Sequence, residues 1–158
     1  MKYLNPEVFY GSAANNVDAA RAEYKNYLAK IVKKIPNQLV KLMSNDGLPV
    51  EDLFQDFVIS NFAVKLNSLR GKATRDVCTL SVKKANVVYT LSFYDVSSVK
   101  IVKTEVDLVP EWSKSMLGEV LLCEIGVDDG NTFEIFTSRN YLIGFTYGKL
   151  RVKKTVTK

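Results

Sequence analysis

The sequence predicts an α+β fold in which an N-terminal helix pair packs on a mostly antiparallel sheet of about six or seven strands. Two observations carry this expectation. Apolar residues recur every three or four positions up to about residue 45 and every second position from about residue 57. The helical part also precedes the strands instead of alternating with them, which argues against βαβ units and a parallel sheet. The length suits one domain over residues 1–158, with a helical part at about 15–45 and a β-meander at about 57–157. A chain of this size buries about 68–70% of its unfolded surface.

The first helix is expected in "NNVDAARAEYKNYLAKIVKKIP", where Val17, Ala20, Tyr24, Tyr27, Leu28, Ile31 and Ile35 form one apolar stripe. Asn15 or Asn16 can cap it, Asp18 suits the positive end of its dipole, and Lys33 and Lys34 suit the negative end before Pro36. A shorter helix follows in "PNQLVKLMSNDG", with Leu39, Leu42 and Met43 inward and Gly47 ending it. "LPVEDLFQD" reads equally as a helical turn or a loop.

Strand periodicity then takes over. Phe62, Val64 and Leu66 share one face, as do Cys78, Leu80 and Val82, and "KKAN" turns the chain into "VVYTLSF" with Val87, Tyr89, Leu91 and Phe93 inward. "SVKIVK" is another strand. "EVLLCEIGV" is apolar on both faces and is expected to be central and covered twice. "DDGN", "RN" and "GK" then separate "TFEIFTS", "YLIGFTY" and "LRVKKTV", giving three consecutive hairpins and an antiparallel meander.

Composition excludes several functions. With no histidine, the chain lacks the commonest general base, the Ser-His and Cys-His nucleophile pairs and the usual zinc sites. GxSxG, P-loop and GxGxxG patterns are all absent, and the adjacent Ser113 and Lys114 are a chance neighbourhood in a loop. No catalytic residue, metal or cofactor is therefore expected. "VDDGN" lacks the alternating acids and terminal glutamate of a calcium loop and reads as a hairpin turn. The opening residues carry no secretory signal, and no apolar run is long enough to span a bilayer. Cys78 and Cys123 are expected as buried free thiols of a cytoplasmic protein.

Charge is distributed unevenly. Residues 105–134 hold eight acids and one lysine, a net of −7 in a chain of net +5, so the remaining positions carry +12. An acidic surface formed by Asp107, Glu111, Asp128, Asp129 and Glu134, with Trp112 as its aromatic anchor, would suit a basic partner. Acids paired with nearby lysines, and Trp112 closing one end of the core, would be the structural alternative. The basic residues form two sets: Arg21, Lys25, Lys30, Lys33 and Lys34 on the first helix, and Arg151, Lys153, Lys154 and Lys158 on the last strand and tail. They fit a phosphate-tracking surface with interleaved tyrosines, or an ordinary solubilising face and guarded strand edge.

"MKYLNPEVFY", the tyrosine-bearing helix, "VVYTLSFYDVSSVKIV" and "EVLLCEIGV" together resemble small bacterial α+β proteins. Some proteins of this build are immunity proteins encoded beside contact-dependent or polymorphic toxins. The resemblance is one of pattern over most of the chain and transfers no site residue. It implies a non-catalytic cytoplasmic protein that neutralises a cognate toxin domain with a basic face by direct contact. The net positive charge departs from the acidic character common among nuclease inhibitors. The alternative expectation is a nucleic-acid-binding or regulatory module using the lysine-rich helix and last strand.

Overall fold

A computed structural model describes residues 1–10, 16–48, 53–65, 76–104 and 117–157. Within them the chain forms three helices and eight strands. The helices are α1 (Pro6–Tyr10), α2 (Val17–Ile31) and α3 (Asn37–Asn45). The strands are β1 (Val58–Lys65), β2 (Val77–Lys84), β3 (Val87–Tyr94), β4 (Ser98–Lys103), β5 (Val120–Gly126), β6 (Asn131–Thr137), β7 (Tyr141–Tyr147) and β8 (Lys149–Val156).

The fold is α+β, but the expected single sheet of six or seven strands is two antiparallel sheets of four, ordered β1-β2-β3-β8 and β4-β7-β6-β5. The difference arises at one corner. β3 leads into β4 and β7 into β8, and these two chain paths pair along both sheets as one bent ribbon. Asp95 turns the first path with a φ of 55°. Gly148 turns the second, its N–H donating to the carbonyls of Tyr94 (3.0 Å) and Asp95 (3.2 Å). A Cβ on Gly148 would sit 3.0 Å from the Asp95 Cβ, so the close approach needs glycine. The sheets meet again where β1 and β5 begin, with Ile59 N–H donating to Gly118 and Val120 N–H donating to Phe57.

Two further expectations change for the same reason. "GK" at 148–149 does not make a third hairpin, because β8 crosses to the first sheet and pairs with β3. β5 is the edge strand of its sheet and not a central one. Its two-sided burial comes from the inter-sheet core on one face and the N-terminal segment on the other.

The core lies between the sheets. Phe93 from β3 stacks on Phe145 from β7 at a centroid distance of 4.6 Å and meets Phe133 at 5.3 Å. The alternation read in β2 and β3 holds: Cys78, Leu80, Val82, Tyr89, Leu91 and Phe93 are buried. In β1, Phe62 touches Phe145, Val64 is exposed, and Leu66 lies outside the described residues. β4 is exposed along its whole length, with Lys100 and Lys103 guarding its open edge.

The helices seal two strand edges. α2 ends at Ile31, earlier than the stripe suggested, and Ile35 is buried from the following turn. Asn16 stands at its N-cap without a side-chain cap bond, and Asn15 lies outside the described residues. The apolar stripe serves β5: Tyr24 Oη accepts the Ile125 N–H at 2.7 Å and Tyr27 Oη accepts that of Val127 at 3.1 Å. Burial pushes the Tyr24 hydroxyl far above its ordinary range, so it stays protonated. α1 had no expectation in sequence. In the undecided stretch after α3, Leu53 and Phe54 are fully buried in a turn.

α3 covers the free edge of β8. Gln38 Oε1 accepts the Val152 N–H, and Asp46 accepts from both Lys154 Nζ and the Tyr89 hydroxyl. The hydrogen bond from Lys154 holds the Asp46 carboxyl below the ordinary aspartate range. A carboxyl with a depressed folded pKa contributes stability above its unfolded pKa of about 3.9, and that contribution is lost as pH falls through the folded value. Asp46→Asn is therefore expected to lower the unfolding midpoint at neutral pH, by a margin that shrinks as pH falls below the ordinary aspartate range. Denaturant titrations at several pH values would reveal a constant difference if the pairing contributes nothing.

Candidate functional site

The acidic segment survives folding only in part as a surface. Glu124 on β5, Glu134 on β6 and Gly144 on β7 are cross-strand neighbours on the face away from the inter-sheet core. Two carboxylates placed opposite one another repel. Here the opening residues offset that repulsion. Glu124 is buried and accepts the N–H groups of Lys2 (2.7 Å), Tyr3 (2.8 Å) and Leu4 (2.8 Å). The α-ammonium of Met1 lies 2.8 Å from Glu134. Lys2 Nζ reaches Asp128 at 3.4 Å, and hydrogen bonds to Tyr3 and Asp128 raise its pKa.

Of the expected partner-binding residues, Asp128, Asp129 and Glu134 therefore come together around one hollow of about 150 Å³ beside Tyr27 and Glu124. Glu134 and Asp128 are already paired within the chain, and Asp129 is exposed at the β5–β6 turn. Asp107, Glu111 and Trp112 lie outside the described residues, as do Ser113 and Lys114. "VDDGN" is the hairpin turn expected, with Gly130 at a φ of 101°. Among the described residues, no three His, Cys, Asp or Glu side chains gather as metal ligands. Both cysteines are free and buried, and burial raises both thiols.

The cations separate into different environments. Arg21 lies over the Phe9 ring, while Lys154 turns inward over Tyr89 to reach Asp46. Lys84 pairs with Asp56 at 3.5 Å. Strand alternation sends a different set to the outer face of the first sheet. There the register aligns Lys65, Val77, Tyr94 and Lys149 in one row, and Ala63, Thr79, Ser92 and Arg151 in the next. Asn61, Ser81, Thr90 and Lys153 follow, then Val58, Lys83, Val88 and Thr155.

This face carries five cations, Lys65, Lys83, Lys149, Arg151 and Lys153, and no acid in any of its four rows. None of the five has a carboxylate partner among the described residues. Arg151 lies over the Tyr94 ring, 5.5 Å from its centroid. Ser81 and Thr90, neighbours in the third row, share a hydroxyl–hydroxyl bond of 3.2 Å.

At the Tyr94 end the face runs into a cleft of about 600 Å³. The cleft lies by the sheet-to-sheet corner and is lined by Lys34, Pro36, Gln38, Val77, Tyr94, Asn131 and residues 148–151. Lys34 is the one member of the helical basic set to reach it among the described residues. The signal for this face was present in sequence, since Lys149, Arg151 and Lys153 alternate with Leu150 and Val152. What hid it was the assignment of Lys154 to the same set and the unknown neighbours of β8.

In comparisons with known proteins, the chain matches no family model, no curated protein and no solved structure. No helix among the described residues is long and apolar enough to cross a membrane.

Proposed function

We propose that the chain is a non-catalytic binding protein that holds single-stranded nucleic acid on the outer face of its first sheet. The observation that carries this reading is a set of five cations on that sheet, without carboxylate partners among the described residues and with Tyr94 between Lys149 and the ring contact of Arg151 at one end. Cations on a sheet track a phosphate backbone, hydroxyls of Thr90 and Ser92 can donate to phosphate or sugar, and an aromatic ring supplies a surface for a base. The buried free thiols suit a cytoplasmic setting.

The test is fluorescence anisotropy with a labelled single-stranded oligonucleotide at several salt concentrations. Affinity is expected to fall steeply with salt. In the triple variant Lys149→Gln, Arg151→Gln, Lys153→Gln, the slope of log K against log salt is expected to become shallower by about 2 units, at about 0.7 for each phosphate that is no longer neutralised. An unchanged slope in a folded variant would sink the reading. So would equal binding of poly-glutamate, which carries charge but no bases.

A second reading, the immunity-type inhibitor, draws on Asp128 and Asp129 standing exposed at the β5–β6 turn. It calls for a toxin domain with a basic face as partner. In the same experiments it predicts no nucleic-acid binding, and a stoichiometric protein complex that is abolished in Asp128→Lys, Asp129→Lys but unaffected by the triple variant.

A further inference from the structure

The cleft at the end of the basic face brings cations from two elements together: the turn after α2 and β8. Lys34 and Lys149 contribute ammonium groups and Arg151 a guanidinium. Gln38 has its Oε1 engaged by the Val152 N–H, which leaves its amide NH₂ as the free side of the group. The same bond fixes the direction of the β8 backbone. Because the Val152 N–H points away from β3, so do the N–H and carbonyl of Leu150, two residues earlier, and Leu150 is one of the residues lining the cleft. No lining side chain among the described residues is acidic. Tyr94 also lines the cleft, and Arg151 lies over its ring.

Donors converging beside an aromatic ring, in a cleft within the common range of about 300–1,000 Å³ for small-molecule sites, define a ligand with an anionic end and a planar end. We propose that this cleft binds one nucleotide, its phosphate against Lys34, Lys149 and the Leu150 N–H, and its base on Tyr94. The inference rests on the nucleic-acid reading of the sheet face and deepens it: the cleft is where a strand lying across the face is held by its terminal phosphate. The face then supplies sequence-independent attraction, and the cleft supplies the preference for a phosphorylated end.

Two probes separate the parts. Adenosine 5′-monophosphate, titrated by calorimetry, reports on the cleft, and paired oligonucleotides with and without a 5′-phosphate report on its link to the face. Lys34 lies off the face, so Lys34→Glu is expected to weaken mononucleotide binding about tenfold or more and to abolish the preference for the phosphorylated oligonucleotide. Tyr94→Leu is expected to weaken mononucleotide binding by about fivefold or more by removing the stacking surface. Unfolding midpoints of both variants serve as the folding control.

If the oligonucleotides bind alike, phosphorylated or not, and the mononucleotide does not bind, the cleft assignment falls while the sheet-face reading stands. If the mononucleotide binds and Lys34→Glu abolishes it, but the triple variant of β8 binds unphosphorylated oligonucleotide like the parent, the cleft stands and the face reading falls. Inorganic phosphate competing as well as the mononucleotide would overturn the role given to Tyr94.

Discussion

Phe93→Ala is expected to lower the unfolding free energy by about 3–5 kcal/mol, the cost of removing a large aromatic from a packed interior. Phe93 is fully buried and meets rings from three strand positions of the opposite sheet: Phe133 at 5.3 Å, Phe145 at 4.6 Å and Tyr147 at 5.0 Å. Each of those rings would line the cavity left behind. The stacked and edge-on ring pairings forfeited there add to the transfer cost. For a chain of this size the melting temperature should fall by about 6–20 °C, at about 2–4 °C per kcal/mol. Phe93→Leu should recover most of that stability. A Phe93→Ala protein that melts with the parent would mean that the sheets do not depend on this ring.

The second large effect is expected at Glu124. Its carboxylate is the common acceptor for three successive backbone N–H groups in the first four residues of the chain. Hydrogen bonds to a charged acceptor contribute about 1.5–3 kcal/mol each, and removing the acceptor also strands buried donors. Glu124→Ala should therefore cost about 3 kcal/mol or more, and Glu124→Gln, which keeps one acceptor oxygen, distinctly less. Hydrogen exchange supplies the local readout. The amides of Tyr3 and Leu4 should lose protection in Glu124→Ala before the amides of β3 do. Unchanged exchange at these positions would mean that the segment is held by its side chains, chiefly Leu4 in the core and Tyr3 stacked on Tyr27 at 4.7 Å.

The local part of this fold was legible in sequence because the signals that made it are local. The β2–β3, β5–β6 and β6–β7 hairpins follow from alternation and turn residues, and the structure has all three. The failures occur where a strand's neighbour is distant. Gly148 looks like a hairpin glycine, yet it bends a continuing path between sheets, and no local pattern distinguishes the two roles. β5 looked central because both faces are apolar or buried. Its outer cover is the N-terminal segment, 120 residues away where Leu4 meets Glu124.

The candidate sites divide along the same line. The acidic cluster could be counted in sequence, but which acids were already occupied depended on Met1 and Lys2, at the far end of the chain. Glu124 left one usable sign, a lone carboxylate inside "VLLCEIG". The basic face needed register as well as composition: only the pairing of β8 with β3 sets Lys149 beside Tyr94 and sends Lys154 to the opposite side. The lysines of β8 were visible, but the surface they belong to was not.

The bent ribbon also governs how quickly the molecule can assemble. Its far end joins the Thr157 hydroxyl to the Asn86 carbonyl across 71 positions of sequence, and the ladder between them depends on pairing made at similar range. Closing so long a loop costs chain entropy before any of the ladder's bonds return it, whereas the three hairpins form from near neighbours. The hairpins are therefore the early events, and the joining of β3–β4 to β7–β8 is the slow one. Until that step, the edges of β3 and β7 stand open, and it is during this interval that the chain is most exposed to pairing with another copy of itself.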